Sequence, residues 1–276
     1  MKVVHSRSEF FAARASLAAP IGLVPTMGAL HAGHAALLQA ARDECDSVLT
    51  TNFVNPMQFG PNEDLARYPR SLEADLEVCA DIGVDLVWVP GVEDVFPLGG
   101  VTRARIEPGP IGDLLEGATR PGHFAGVLTV VAKFLNLTRP GRAYFGEKDY
   151  QQLTAIRQMV DDLDLGAAIV GVPTVRESDG LALSSRNVFL SPDERRQALA
   201  LSRALFAGRA AAAEGGAIAA ITTATHTLAE EPGVVVDYLS LRAADLSEVP
   251  ESGAARLLVA AKVGTTRLID NVAVYL

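Results

Sequence analysis

The chain has 276 residues, 49% of them hydrophobic and 21% charged, enough apolar content for a sizeable core and too much for disorder. Its net charge of -9, from 24 basic and 33 acidic residues, argues against a surface that coats nucleic acid but leaves room for a local basic pocket. The two cysteines make no disulfide framework and suit a reducing cytoplasm, Met1 to Phe11 lacks the apolar core of a signal peptide, and no apolar stretch is expected to span a membrane.

Ile21-Gly22-Leu23-Val24 reads as a short buried strand, and Ala35 to Arg42 has the apolar spacing of a buried helix. Ser47 to Val54 reads as a second strand ending at Asn55-Pro56, Ser71 to Ile82 as a helix, and Asp85 to Pro90 as a third strand. This β-α-β-α-β order predicts parallel strands in a Rossmann-like sheet. After Pro97 and a Gly99-Gly100 turn, Val101 to Glu107 is expected as an extended edge segment. His123 to Leu137 reads as a buried helix stopped by Pro140-Gly141, Ala143 to Phe145 as a strand, Tyr150 to Leu163 as an amphipathic helix, and Ala168 to Pro173 as a strand. Ser191-Pro192-Asp193-Glu194 is a capping box with proline at the first helical position. Ala-rich helices interrupted at Gly215-Gly216 follow, then strands over Val234 to Leu241, Leu257 to Val263 and Val272 to Tyr275. The shift in composition sets a domain boundary between Pro173 and Ser191. The expected fold is α/β, with a Rossmann-like domain over 1–174 and a smaller α+β domain over 175–276.

Three polar segments sit where strands end, the place where open α/β sheets bind ligands. The first is Pro25-Thr26-Met27-Gly28-Ala29-Leu30-His31-Ala32-Gly33-His34. Gly28 and Gly33 let the backbone turn and a ligand approach, and His31 and His34 share one face if the helix starts near them. Two imidazoles beside the free amides of a helix N-terminus suit an anion, phosphate above all. A His-x-x-His pair can also ligate zinc, but Cys45 and Cys79 are isolated and supply no third ligand at metal spacing. The second segment carries Gln58, whose amide both donates and accepts. The third, Gly146-Glu147-Lys148-Asp149-Tyr150-Gln151-Gln152, offers a point charge for phosphate in Lys148, with Asp149 readable equally as a helix cap. At the domain junction, Ser184, Ser185 and Arg186 present two hydroxyls and a guanidinium to phosphate oxygens. A flexible linker is the plain alternative. The segment from Ser178 to Asn187 shows little apolar surface and is expected to open easily.

His-Ala-Gly-His after a glycine-bearing turn resembles the HxGH signature of nucleotidyl-transferring α/β enzymes, and the junction loop resembles their KMSKS-type lid. More specifically, PTMGALHAGH (25–34), FVNPMQFGPNEDLARYPR (53–70), RPGHFAGVLTVV (120–131), YFGEKDYQQL (144–153), VPTVRESDGLALSSRN (172–187) and GTTRLIDN (264–271) together resemble the pantothenate synthetases, in that family's order. The resemblance implies ATP-dependent ligation of pantoate and β-alanine to pantothenate, with AMP and pyrophosphate released, in a cytoplasmic homodimer using Mg²⁺, with no nucleic acid or membrane as partner. It implies phosphate contacts for His31 and His34, with His34 the proton donor, and charge stabilisation by Lys148, Ser184, Ser185 and Arg186. It also implies an ATP site lined by Pro25, Met27, Gly28, Ala29, Leu30, Ala32, Gly33, Gly146, Glu147, Asp149, Val175 and Leu183. Gln58 and Gln152 would orient pantoate, with Gln58 also near β-alanine, and Asp75 would lie near Mg²⁺. Composition and spacing alone lead no further than a nucleotide-binding α/β protein. A nucleotidyltransferase acting on a phosphate ester would want extra cations around its acceptor, where this chain has Gln58 and Gln152. A nucleotide sensor without catalysis would have less use for both histidines, Lys148 and the Ser-Ser-Arg segment together.

Overall fold

The computed structural model describes residues 1–60, 65–97 and 102–276; Pro61 to Asp64, inside the second matching motif, and the Gly99-Gly100 turn lie outside the described residues. The chain forms two compact units, 1–147 with 151–173, and 148–150 with 174–276. The expected boundary after 174 lies one residue beyond this division, and Lys148 to Tyr150, grouped by sequence with the first domain, cluster with the second unit.

In the first unit the chain runs β1 (Lys2–Val4), α1 (Arg7–Arg14), β2 (Ile21–Thr26), α2 (Ala32–Glu44), β3 (Ser47–Asn52), α3 (Leu72–Ile82), β4 (Leu86–Trp88), α4 (Val92–Val95), α5 (Leu115–Thr119), α6 (His123–Thr138), β5 (Arg142–Gly146), α7 (Tyr150–Asp162) and β6 (Ala168–Val172). The strands pair in the order β1-β4-β3-β2-β5-β6, all parallel, as the alternation predicts. That order reverses between β2 and β5, which makes their carboxyl ends the switch point where ligands bind in such sheets. Successive residues of a strand face opposite sides. Val24, Val48 and Val87 thus pack with Leu37, Leu38 and Ala41 of α2 and Cys79 of α3. On other contacts of the same sheet, Trp88 stacks on Phe10 of α1 at 4.2 Å between centroids and meets Phe134 of α6 edge-on at 5.8 Å.

The expected edge segment over Val101 to Glu107 is a correction. Residues 102–107 form no strand, and the Ile106 amide donates instead to Oγ1 of Thr129 on α6 at 3.0 Å. Val101 lies outside the described residues.

The second unit is built from α8 (Pro192–Ala229) and the antiparallel sheet β7 (Val234–Ala243), β8 (Ala254–Val263) and β9 (Thr266–Tyr275), with β8 in the middle. Ser191 accepts from the Glu194 amide and the Glu194 carboxylate accepts from the Ser191 amide, so the capping box forms. α8 breaks at Gly215 and Gly216, whose φ/ψ values of -138°/15° and 65°/-154° are not helical. Ala198, Ala204, Ala220 and Ala224 pack with Leu205, Leu257, Val259 and Val263 in one core. By length and composition alone α8 is apolar enough to cross a membrane, but its helical geometry is interrupted at Gly215 and Gly216, as expected of this stretch. Its buried alanines pack against β8 in this core.

Leu205 is fully buried and Ile218 is exposed on the same helix. Leu205→Ala is expected to lower the unfolding free energy by about 2–5 kcal/mol, and Ile218→Ala by less than about 0.5 kcal/mol. Equilibrium urea unfolding reads both; equal effects would contradict the packing described for α8.

Candidate active site

β2 ends at Thr26, whose hydroxyl donates to the Thr51 carbonyl at 2.7 Å and accepts the Gly28 amide at 3.3 Å. The backbone then turns through two positive φ values, 82° at Gly28 and 52° at Ala29. A Cβ at Gly28 would lie 3.0 Å from both Asn52 Nδ2 and Asp75 Oδ2, so the turn needs glycine for space as well as for conformation.

Asp75 on α3 holds this turn from below. Its Oδ2 accepts from the Ala29 amide at 3.0 Å and Asn52 Nδ2 at 2.8 Å; its Oδ1 accepts from the Leu30 amide at 2.8 Å and Ser71 Oγ at 3.2 Å. Only 3% of the residue is exposed. The resemblance sets Asp75 near Mg²⁺, but a buried carboxylate whose two oxygens each already accept two hydrogen bonds does not fit a direct ligand, because metal ligation would strip amides of their acceptors. Burial, and after it the Asp75 charge, push the Cys79 thiol up from its ordinary 9.0 to about 11.

The turn delivers His31 to the N-cap of α2. Nδ1 of His31 accepts the Gly33 amide at 3.1 Å, and Nδ1 of His34 accepts the His31 amide at 3.3 Å. The two rings lie 4.2 Å apart between centroids. With each Nδ1 accepting, a neutral ring carries its proton on Nε2 and is a donor there. The pair therefore adds imidazole donors to the positive end of α2, a site suited to phosphate.

Met27 links this centre to Gln58, whose Nε2 lies 3.0 Å from the Met27 sulfur. Gln58 ends the short 3-10 turn Pro56–Gln58, capped by Asn55, and Asn55 Nδ2 donates to Gln58 Oε1 at 3.1 Å and to the Gly126 carbonyl at 3.2 Å. Gly126 of α6 abuts the backbone of Met57 and Gln58 so closely that no Cβ fits there. His123 Nδ1 lies 2.8 Å from the Gln58 carbonyl, and Arg120 Nη1 lies 3.0 Å from His123 Nε2. Sequence reasoning assigned no role to Asn52, Asn55, Arg120 or His123. The signal for three of them was their presence inside the motifs at 53–70 and 120–131. Gln152 is half-buried on α7, beside Gln151, whose amide is spent on the Ile111 and Leu114 carbonyls and the Glu116 amide.

Gly146 ends β5 and Glu147 follows it at the edge of the first unit, and the remaining expected residues lie in the second unit. Lys148 sits in the 3-10 turn Glu147–Asp149, its Nζ 3.6 Å from Asp149 Oδ1. Ser184 caps the 3-10 turn Ser185–Phe189, its hydroxyl accepting the Arg186 amide at 3.2 Å. Val175 and Leu183 are joined by a backbone hydrogen bond of 3.0 Å, and Arg176 bridges Ala182 in antiparallel fashion. The expectation that Ser178 to Asn187 lacks apolar anchorage is corrected here. Leu181 and Ala182 are buried, and Arg195 pairs with Glu177 at 2.9 Å and Asp179 at 2.6 Å. The hairpin before Ser184 is therefore pinned.

Comparison with known proteins follows the same lines. A family described as pantoate-beta-alanine ligase matches residues 2–273. The chain is 57% identical over 277 residues to a pantothenate synthetase of Salinispora arenicola, covering 100% of this chain and 98% of that one. A pantothenate synthetase of Mycolicibacterium smegmatis is 60% identical over 255 residues, 92% of this chain and 80% of the relative. Among solved structures, pantothenate synthetase from Thermus thermophilus superimposes with a TM-score of 0.93 at 49% identity over 99% of both chains. Pantoate-beta-alanine ligase from Francisella tularensis, complexed with beta-gamma ATP and beta-alanine, gives a TM-score of 0.82 at 36% identity over 99% of this chain and 97% of that one.

Replacing Asp75 by Asn keeps the shape and removes an acceptor from a half-buried amide donor. Hydrogen exchange of the peptide covering Ala29 and Leu30 is expected to accelerate about tenfold or more. Unchanged protection would mean that the carboxylate does not hold the turn. The Cys79 shift has its own signature: folding favours the neutral thiol, so stability present below pH 9 is lost as pH rises to about 11. In Cys79→Val that loss is absent. The difference in urea midpoint between the two proteins, followed across this range, is expected to move in favour of the variant.

Proposed function

The chain belongs to the pantoate-beta-alanine ligase family and ligates pantoate and β-alanine to pantothenate with ATP, and from that premise we propose that it works through a pantoyl adenylate. A carboxylate is a poor acyl donor because its leaving group would be oxide. Attack of the pantoate carboxylate on the α-phosphorus of ATP expels pyrophosphate and makes an acyl adenylate. The β-alanine amine then attacks the acyl carbon and AMP leaves. Little covalent work falls to the protein, so positioning and charge neutralisation dominate.

In this reading Nε2 of His31 and of His34 donate to the phosphates beside the amides of α2, and His34 gives the proton. Lys148, Ser184, Ser185 and Arg186 neutralise charge that builds on the triphosphate. Pro25, Met27, Gly28, Ala29, Leu30, Ala32, Gly33, Gly146, Glu147, Asp149, Val175 and Leu183 line the nucleotide. Gln58 and Gln152 orient pantoate, with Gln58 also close to β-alanine. Mg²⁺, bound with ATP, would lower the charge of the phosphates, and Asp75, both of whose oxygens are engaged by the histidine turn and its neighbours, would not be its ligand. The second unit serves as a lid domain, and the working protein is a cytoplasmic homodimer. The observation that carries this reading is the paired imidazoles at the start of α2, with both Nδ1 atoms engaged by backbone amides and both rings thereby oriented.

Pantoate-dependent exchange of labelled pyrophosphate into ATP, measured without β-alanine, tests the adenylate. Exchange is expected, and its absence in an enzyme active with all three substrates would refute the stepwise order. His34→Ala is expected to lower the exchange rate by roughly 10²–10⁴, while preformed pantoyl adenylate and β-alanine still combine at close to the original rate. Equal slowing of both steps would remove His34 from the first one.

A further inference from the structure

The motif GTTRLIDN at 264–271 is absorbed by none of the roles above, yet it ends in two adjacent buried polar residues. Asp270 is 4% exposed and Asn271 3%. Successive residues of a strand face opposite sides, so this pair reaches in two directions from β9.

Asn271 reaches the 148–150 segment. Its Nδ2 donates to the Lys148 carbonyl at 2.8 Å, while its Oδ1 accepts from Arg256 Nε at 2.7 Å. The arginine thus fixes which end of the amide faces the lysine. The Arg256 guanidinium carbon lies 3.9 Å from the Tyr150 ring centroid, and the Tyr150 hydroxyl donates to the Ala244 carbonyl at 2.8 Å. Asp270 reaches the hairpin that precedes Ser184. It takes Arg176 in a two-pronged ion pair, Nη1 to Oδ2 at 2.6 Å and Nη2 to Oδ1 at 2.8 Å, and Arg176 Nη1 also donates to the Gly180 carbonyl at 3.1 Å. Asp270 Oδ1 further accepts the Asn271 amide at 2.7 Å, which joins the two halves.

A buried network with a partner at each of these ends resists rearrangement, because any rotation leaves a polar group unmatched. Resting on the reading that Lys148 and residues 184–186 meet the triphosphate, we propose that Asn271 is a positioning residue for adenylate formation. It fixes the backbone from which the Lys148 side chain projects, and through Asp270 it holds that backbone in one frame with the segment carrying Ser184, Ser185 and Arg186.

Asn271→Asp isolates this tie, since a carboxylate still accepts from Arg256 but cannot donate to the Lys148 carbonyl. Pyrophosphate exchange is expected to fall roughly 10–100-fold, the range for small misplacement of a reacting group. The step from preformed pantoyl adenylate stays within about twofold of the original protein, and in a Lys148→Ala background Asn271→Asp costs nothing more. A loss that adds fully to that of Lys148→Ala, or one that slows both steps alike, would overturn the proposal while leaving the assignment of Lys148 intact. No effect of Lys148→Ala itself on exchange would overturn that assignment and the positioning role with it. If Asn271→Asp does not fold, Tyr150→Phe, which loses the hydroxyl tie to Ala244, is expected to lower exchange roughly 3–10-fold, again with no further loss beside Lys148→Ala. Full activity in Tyr150→Phe would then count against the proposal.

Discussion

A carboxylate removed from water persists in a fold only when hydrogen-bond donors replace its hydration, and Asp75 finds four. Two of them are consecutive backbone amides, at Ala29 and Leu30, which a regular strand would turn to opposite sides. The turn at the end of β2 and the burial of Asp75 are therefore one event. Gly28 makes room for the carboxylate, Asn52 at the end of β3 closes its remaining side, and α3 brings it there. The histidines that begin α2 inherit their orientation from this turn. Each imidazole then spends Nδ1 on a backbone amide, which leaves Nε2 to carry the proton.

The second unit solves a different packing problem. Its helix is so rich in alanine that apolar area per residue is small, and close approach has to supply what side-chain size does not. At Gly208 a Cβ would come within 2.7 Å of Leu257 Cδ2 and 2.8 Å of the Ala220 carbonyl, so the two halves of α8 meet almost backbone to backbone, with the Leu257 side chain of the central strand against them. The break at Gly215 and Gly216 is what permits that approach. Into this tight apolar body the fold admits a polar network built on Asp270 and Asn271, with Asp270 paired to Arg176 and Asn271 hydrogen-bonded to Arg256.

Much of this was legible in the sequence because local pattern and global fold agree. The alternation of apolar runs and helical spacing in the first 173 residues is sufficient for a parallel sheet, and Ser191-Pro192-Asp193-Glu194 marks the start of α8 to the residue. What escaped was decided by tertiary contacts. Lys2–Val4 is too short to show a period, and it is a strand only because β4 offers an edge. Val101 to Glu107 has the composition of a strand, yet the Ile106 amide is taken by a threonine side chain. β9 begins at Thr266, where Arg267, Asp270 and Asn271 break the apolar alternation, because its partner β8 carries the pairing through all ten positions. For the site, the histidines, Gln58 and Lys148 carry recognisable chemistry. Asp75 and Asn271 do not, since their work is to hold other groups, and only three-dimensional neighbours reveal it.

Lys148 to Tyr150 run from the turn after β5 into the first residue of α7 but cluster with residues 174–276. The second unit is accordingly not a module that a single cut can release. A fragment opening at Thr174 would lack the backbone carbonyl to which Asn271 Nδ2 donates and the ring beside the Arg256 guanidinium. The same holds for exchange of segments between relatives. A crossover placed in the loop before Thr174 separates residues 148–150 from β8 and β9, so sequence drift on one side has to be matched on the other. The three-residue excursion thus couples by direct contact two stretches that lie roughly 100 residues apart along the chain.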